Sequence, residues 1–443
     1  MSIATTRAAP TGATRLRPTG IGTVYRVELA KIASQLLPRI AAAVCLVGPF
    51  AFTIFINTQT SVPADALFGR WVHSSGFAIP FVVLVFGGIV GFPLITAVVA
   101  GDLFASEDGY ATWKTMLTRS CSRGDIFAGK CLAGVTFSAA MVALLVVSST
   151  LAGVLVVGTQ PLIGLSGQVL DPGRALVLIL ESFAVALAPA LAFTCVGILF
   201  SVVSRNSMIG VLGPPVVGLL MLLVSLMGSG VVVRSMLLIT PFDAWHGLLV
   251  APAHITPLWV GALVCAAYAF LCLDAARRSF RRRDFTGDGR AAVSWSRFGR
   301  GVLVALGITG ILALGAAFDR RWITSHRLER SVDTTFKNLL IAQQDLLGNQ
   351  VKERSLLVFP LCKRDSVVRG PSSGAGDDWG CDVIVDGGGF RGLSVSYSIT
   401  VRPNGCYTAD GPPLVIGPLR IQKAGGGVAV NPLYAFDGCM IAP

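Results

Sequence analysis

The sequence predicts an α-helical polytopic membrane protein with a small extracytoplasmic α+β domain at its C-terminus, and three observations predict it. First, 53% of the 443 residues are hydrophobic and only 14% are charged, whereas a soluble protein carries about a quarter charged residues. Second, the apolar residues gather into almost uncharged runs near the ~20 residues that cross a bilayer. These are residues 40–56, 77–100, 131–158, 175–203, 208–227, 257–273 and 301–318. Third, residues 319–443 leave that pattern, first for an amphipathic one and then for strand-like alternation.

Basic residues orient the chain. Arg7, Arg15, Arg17, Arg26, Lys31 and Arg39 precede the first run, and Arg277, Arg278, Arg281, Arg282, Arg283, Arg290, Arg297 and Arg300 follow the sixth. The loops after the first, third and fifth runs hold only Arg70, Arg174 and Arg234. Lys and Arg concentrate on the cytoplasmic side, so the N-terminus is expected inside a cell (plasma or inner) membrane, and seven crossings put residues 319–443 outside. The net charge of +12 is then topology, and nucleic acid is not an expected partner. The first apolar run begins too late for a cleavable signal peptide and lacks a small-residue cleavage site.

Taken in order, residues 1–23 are rich in Thr, Pro, Gly and Arg and read as a disordered tail. Residues 24–38 read as an interfacial helix, with Val27, Leu29, Ile32, Leu36 and Leu37 set against Arg26, Glu28 and Lys31. Six spans fill residues 39–276. In the second, the Gly87-x-x-x-Gly91 spacing permits close helix approach, either within the chain or at a dimer seam. Glu181 is the only charge inside a run. An intramembrane carboxylate is costly and faces a bundle interior or a wet cavity, so Glu181 is a pathway residue or a structural group bonded to a neighbour. Pro214 and Pro215 remove backbone donors from the fifth span and should kink it.

Residues 228–256 are too apolar for a free loop and too interrupted for a span, which suggests a pair of short re-entrant helices. On them, Asp243, Trp245 and His246 either gate an exit or cap a loop. His73, His254 and His326 join His246 on the outer side, but their spacing demands no metal. A basic linker, 277–300, leads to the seventh span, 301–318. Residues 320–349 then repeat Leu328, Val332, Phe336, Leu339, Leu340, Leu346 and Leu347 at helical steps, as a stalk helix would. Strand-like runs follow at 355–360, 381–385, 393–401 and 413–416, with turns at Asp386-Gly-Gly-Gly and Pro403-Asn-Gly. Cys362, Cys381, Cys406 and Cys439 all fall in this outer region, and an even set in an oxidising compartment suggests two disulfides. Three pairings are open, and we favour Cys362–Cys381 with Cys406–Cys439. A zinc site is the rival reading, without a short Cys-x-x-Cys to support it.

The most informative stretch is residues 107–130, polar and charged between two apolar runs. Glu107, Thr112, Trp113, Lys114, Leu117, Arg119, Ser122, Arg123, Gly124 and Lys130 fall where type-two ABC exporter permeases place a Glu, a Thr-Trp-Lys, a Leu, an Arg, a Ser-Arg-Gly and a span-opening Lys. The stretch resembles the segment joining the second and third spans of that family, with Ala111 in place of the usual Gly and Ser120 in place of the usual Pro. The resemblance covers roughly residues 24–283. It implies a six-helix permease core, here extended by the seventh span and the outer domain. It further implies two ATPase subunits docked beneath the segment and the interfacial helix, and a second permease copy or a related one.

Gly124 to Lys130, followed by Cys131, nearly spells a phosphate-binding loop. That loop must follow a buried strand and end in a hydroxyl that holds magnesium, and neither condition is met. No cofactor is expected in this chain, since ATP and magnesium belong to the partner ATPase. No hydrolytic motif such as G-x-S-x-G or H-E-x-x-H appears, so a transport subunit without a catalytic residue is expected. The cargo class would be a lipid, drug, peptide or envelope precursor. The alternatives are an ATPase-coupled mechanical or signalling protein acting on an envelope partner through its outer domain, and a membrane-bound transferase using Glu181 or an outer His.

Overall fold

A single extended residue, Gln35, separates α1 (Ile21–Ser34) from α2 (Leu36–Thr58). The computed structural model describes residues 20–59, 68–117, 122–226, 231–283, 323–364, 373–402 and 404–440. The chain returns through α3 (Ala78–Phe86), a π turn at Gly87–Gly91, and α4 (Phe92–Ala100). Two short helices follow, α5 (Ala105–Gly109) and α6 (Trp113–Leu117). Next come the long α7 (Arg123–Val156), a hairpin of β1 (Leu162–Ile163) and β2 (Val169–Leu170), and α8 (Pro172–Ser204). Then α9 (Ser207–Leu226), α10 (Val231–Met236), a 3-10 helix (Thr240–Leu248) and α11 (Thr256–Arg281) complete the bundle. Among the described residues α2, α7, α8, α9 and α11 are each long and apolar enough to cross a membrane. The α3–α4 passage is a further apolar run that the π turn interrupts.

Glycines set the helix crossings. A methyl group on Gly210 of α9 would collide with the carbonyl of Gly101 after α4, and one on Gly153 of α7 would collide with the carbonyl of Gly76. Small residues let backbones approach where lipid gives no hydrophobic drive. Gly87 and Gly91 do no such work within the chain, since a methyl on either meets open space. Their segment instead winds as a π turn, and it is Gly88 that faces Phe242 of the 3-10 helix.

The C-terminal domain is a five-stranded antiparallel sheet with one helix packed on it. Its helix is α12 (Ser325–Leu346), and its strands are β3 (Leu356–Arg364), β4 (Gly376–Gly387), β5 (Phe390–Val401) and β6 (Cys406–Asp410). A short helix, α13 (Pro413–Ile416), and a small hairpin of β7 (Arg420–Gln422) and β8 (Val428–Val430) precede β9 (Ala435–Cys439), which pairs with β6. Leu328, Val332, Phe336, Leu339 and Leu340 of α12 face the sheet, as their helical spacing predicts. Cys362 is in register with Cys381 and Cys406 with Cys439, and these are the two disulfides.

The structure departs from the sequence reading in several places. The interfacial helix ends at Ser34 and the first span starts at Leu36. Its buried residues are Val24, Glu28 and Ile32, while Val27 is 58% exposed. Glu28 therefore points inward, because a buried lysine awaits it there. Residues 413–416 form a helical turn, since Pro413 supplies the preset φ that opens one and no N–H for a strand. β6 and β9 escaped the pattern because they are short and buried at every position but Asp410, which hides the period of two. The first 19 residues of the expected tail, the linker beyond Arg283, the seventh span and Arg119 lie outside the described residues. The ends flanking that linker and span, Arg283 and Ile323, belong to opposite ends of the bundle: Arg283 pairs with Asp108 of α5, and Ile323 lies in the disulfide domain.

Candidate functional site

Where α4 ends, the chain turns sharply and is held by its neighbours. The Ser201 hydroxyl of α8 accepts from the Phe104 and Ala105 amides at 3.0 Å each, capping the start of α5. Thr112 then staples the turn: its amide donates to the Glu107 carbonyl at 3.1 Å and its hydroxyl to Glu107 Oε2. The Trp113 indole donates to Asp108 Oδ1 at 3.0 Å. These contacts tie Glu107, Thr112 and Trp113 into one stapled turn. Between the two short helices Ala111 sits at φ 55°, in the left-handed region, where glycine is the unstrained choice.

Three carboxylates and three cations meet around this turn. Lys31 of α1 donates to Glu107 Oε1 at 2.5 Å. Lys130 of α7, wholly buried, reaches Glu28 at 2.8 Å, Glu107 at 3.0 Å and the Leu103 carbonyl at 3.0 Å. Arg283, just past α11, pairs with Asp108 and stacks 5.6 Å over the Trp113 ring. Arg123, at the start of α7, donates to the Arg283 carbonyl at 3.1 Å. Phe104, Trp113, Phe127 and Phe280 pack into one aromatic cluster around these charges. Lone buried charges cost several kcal/mol, and this set is tolerable because it is neutral and mutually bonded.

Burial alone would raise the Glu107 pKa, but Lys130, Lys31 and Thr112 outweigh it and hold the carboxyl down at about 2. Burial lowers the Arg283 guanidinium to about 10, still protonated at neutral pH. Both groups thus stay charged across the physiological range.

The structure brings Glu107, Thr112, Trp113 and Arg123 together around this junction. Leu117 is half-buried at the end of α6, and Lys114 lies on the same short helix. The sequence reading missed Glu28 and Asp108 and took Lys130 only as the residue opening a span. In the structure α7 starts at Arg123, so Lys130 lies inside a membrane-length helix rather than opening it. The signal was present as a Glu and a Lys on apolar helical faces, each uninterpretable without the other. Gly124 to Lys130 is helical rather than a loop, and a methyl on Gly129 would press on Val24 of α1.

The other candidates lie elsewhere. Glu181 is half-buried on α8, and Pro214 and Pro215 sit inside α9. Trp245 is fully buried, stacked on Phe81 and Phe68, with His246 beside it. Asp243 and Arg402, the latter from the disulfide domain, lie close enough to His246 to act on its charge. The expected pair of short helices is present as α10 and the 3-10 helix, the latter packed on α8 and α11. Among the described residues, no group of three His, Cys, Asp or Glu side chains is placed to hold a metal ion.

Fold and site together define a polytopic helical membrane protein with an appended disulfide-bonded domain and a buried ionic junction at the opposite end. Residues 43–286 match the family described as Protein of unknown function (DUF2705), more than half of the chain, and the chain belongs to that family. The matched region contains α5, α6 and Lys130, and stops short of the disulfide domain. No curated protein matches the chain.

Proposed function

We propose that this chain is the membrane-spanning permease subunit of an ATP-driven ABC exporter, moving a hydrophobic or amphipathic substrate outward. The observation that carries the reading is the double tie from Glu107 to Lys31 of α1 and Lys130 of α7. It joins one short segment to two helices of the bundle, so a push on α5–α6 reaches both without bending the segment. The tip of the turn, Tyr110, is 78% exposed and available for contact. In this reading the ionic junction faces the cytoplasm of a cell membrane, and two ATPase subunits carrying their own ATP and magnesium dock beneath α1 and Glu107 to Leu117. A second permease copy, or a related one, completes the pathway. Closure of the ATPases switches the helix packing between two arrangements, and the chain itself performs no chemistry.

The test is to purify the protein with an ATPase encoded beside it and to measure ATPase stimulation by lipids, drugs and peptides. The expected result is a stable complex whose hydrolysis rises with one substrate class; absence of any co-purifying ATPase overturns the reading. Glu107→Ala should leave assembly intact while transport falls at unchanged hydrolysis, and unaltered transport would remove the segment from the mechanism.

One set of contacts favours a second reading, mechanical coupling to an envelope partner. The Phe68 amide donates to Asp437 of β9 at 2.9 Å, and Asn338 of α12 donates to the Ser166 carbonyl at 2.6 Å. Motion of the bundle would then move the outer domain. ATP-dependent change in that domain without substrate movement would select this reading over export.

A further inference from the structure

Between β6 and β9 the disulfide domain carries a lobe, residues 411–434, that its sheet does not need. The lobe holds α13 and the β7–β8 hairpin, and it contains no Asp or Glu while carrying Arg420 and Lys423. Soluble surfaces mix both signs of charge and leave large apolar residues scattered singly. Here Leu414 is 100% exposed, Val428 59%, Val415 48% and Leu419 41%.

The lobe's position says what such a surface can meet. Val430 of β8 packs against the apolar cluster that runs from the helical bundle to Cys406 and Cys439 of the domain. Burial lowers the His73 pKa, and Arg420 lies near enough to lower it further. His73 itself precedes α3, at the bundle end that bears the disulfide domain. The lobe therefore stands beside the ends of the spans, at the level where the bilayer surface begins. Its Gly426-Gly427 turn, with φ of 87° and 88°, is bonded to the domain through the Ala424 amide and the Leu346 carbonyl at 3.0 Å. It is held in place rather than left to wander.

We infer that this lobe is a lipid-binding foot: its apolar side chains enter the outer interface of the bilayer and Arg420 and Lys423 engage anionic headgroups. Apolar side chains gain by entering the headgroup–acyl boundary, and basic residues add attraction to anionic lipid. The inference is independent of the transport reading, since it requires only that the bundle spans the membrane.

The test uses the full chain in lipid nanodiscs. Leu414→Cys, whose side chain touches nothing in the fold, is labelled with an environment-sensitive fluorophore, and the unsubstituted chain supplies the background from native cysteines. Leu357→Cys on the exposed face of β3 serves as the control. The expected result is quenching of the Leu414 probe, but not the Leu357 probe, by shallow spin-labelled lipid. That quenching should deepen when phosphatidylglycerol replaces phosphatidylcholine. Arg420→Gln with Lys423→Gln should abolish the lipid dependence, each basic charge near an anionic surface contributing about fivefold. A Leu414 probe quenched by aqueous iodide and not by lipid overturns the inference. So does a probe shielded from both, which would mean that another protein surface covers the lobe.

Discussion

Lys130→Met is the sharpest test of the ionic junction. The ammonium is fully buried and touches Glu28, Glu107 and the Leu103 carbonyl. A methionine fills most of the same volume, so the loss is electrostatic rather than a cavity. Glu107 keeps Lys31 at 2.5 Å, but Glu28, only 2% exposed, loses its ion pair, and its Oε2 already lacks a hydrogen-bond partner among the described residues. Removing one partner of a buried pair costs about 3–5 kcal/mol. Since every ~1.4 kcal/mol is a factor of ten, local opening of α1 becomes about 150- to 5,000-fold more frequent. Amide hydrogen exchange of the protein in nanodiscs reads this directly, as faster exchange across Ile21–Ser34 with α8 unchanged. Adding Glu28→Gln removes the stranded charge and should restore most of the protection. Exchange in α1 that rises less than about fivefold, roughly 1 kcal/mol, would refute the claim that Lys130 holds the interfacial helix to the bundle.

Glu107 makes the junction acid-sensitive in a defined direction. Its folded pKa, about 2, lies below the ordinary 4.5, so its contribution is present above pH 4.5 and fades as pH falls from there toward 2. Exchange of α5–α6 amides measured through that window should accelerate, and Glu107→Gln should remove the dependence. Ala111→Gly should stabilise the turn by about 0.5–1 kcal/mol, relief of left-handed strain outweighing the extra freedom of glycine; thermal unfolding of the purified protein checks it. The disulfides close loops of 19 and 33 residues, so Cys362→Ser with Cys381→Ser should cost the outer domain about 3 kcal/mol and Cys406→Ser with Cys439→Ser about 4. Protease resistance of that domain, compared between the two double variants, tests the order.

Much of the architecture was legible because bilayers and strands impose periods that a sequence must display. Runs of near-span length marked α2, α7, α8, α9 and α11, and three- and four-residue steps marked the buried face of α12. The four outer cysteines suggested two disulfides, but only the strand registers selected the pairing from three possibilities. Glu107, Thr112 and Trp113 were legible only through a family resemblance, and the staple they form across the turn came from the structure.

Contacts between distant elements were not legible. Glu28 and Lys130 are 102 positions apart, and each alone looks like an ordinary charge at the edge of an apolar helix; their pairing exists only because Gly129 lets α1 lie against α7. Gly87 and Gly91 carried a packing motif, yet the π turn aims both into open space and leaves Gly88 to meet Phe242. By itself the sequence determined where helices cross a membrane, since burial in lipid is a local demand on composition. The tertiary structure decided which charges those helices bury together, since a buried charge is tolerable only opposite a partner that folding alone can supply.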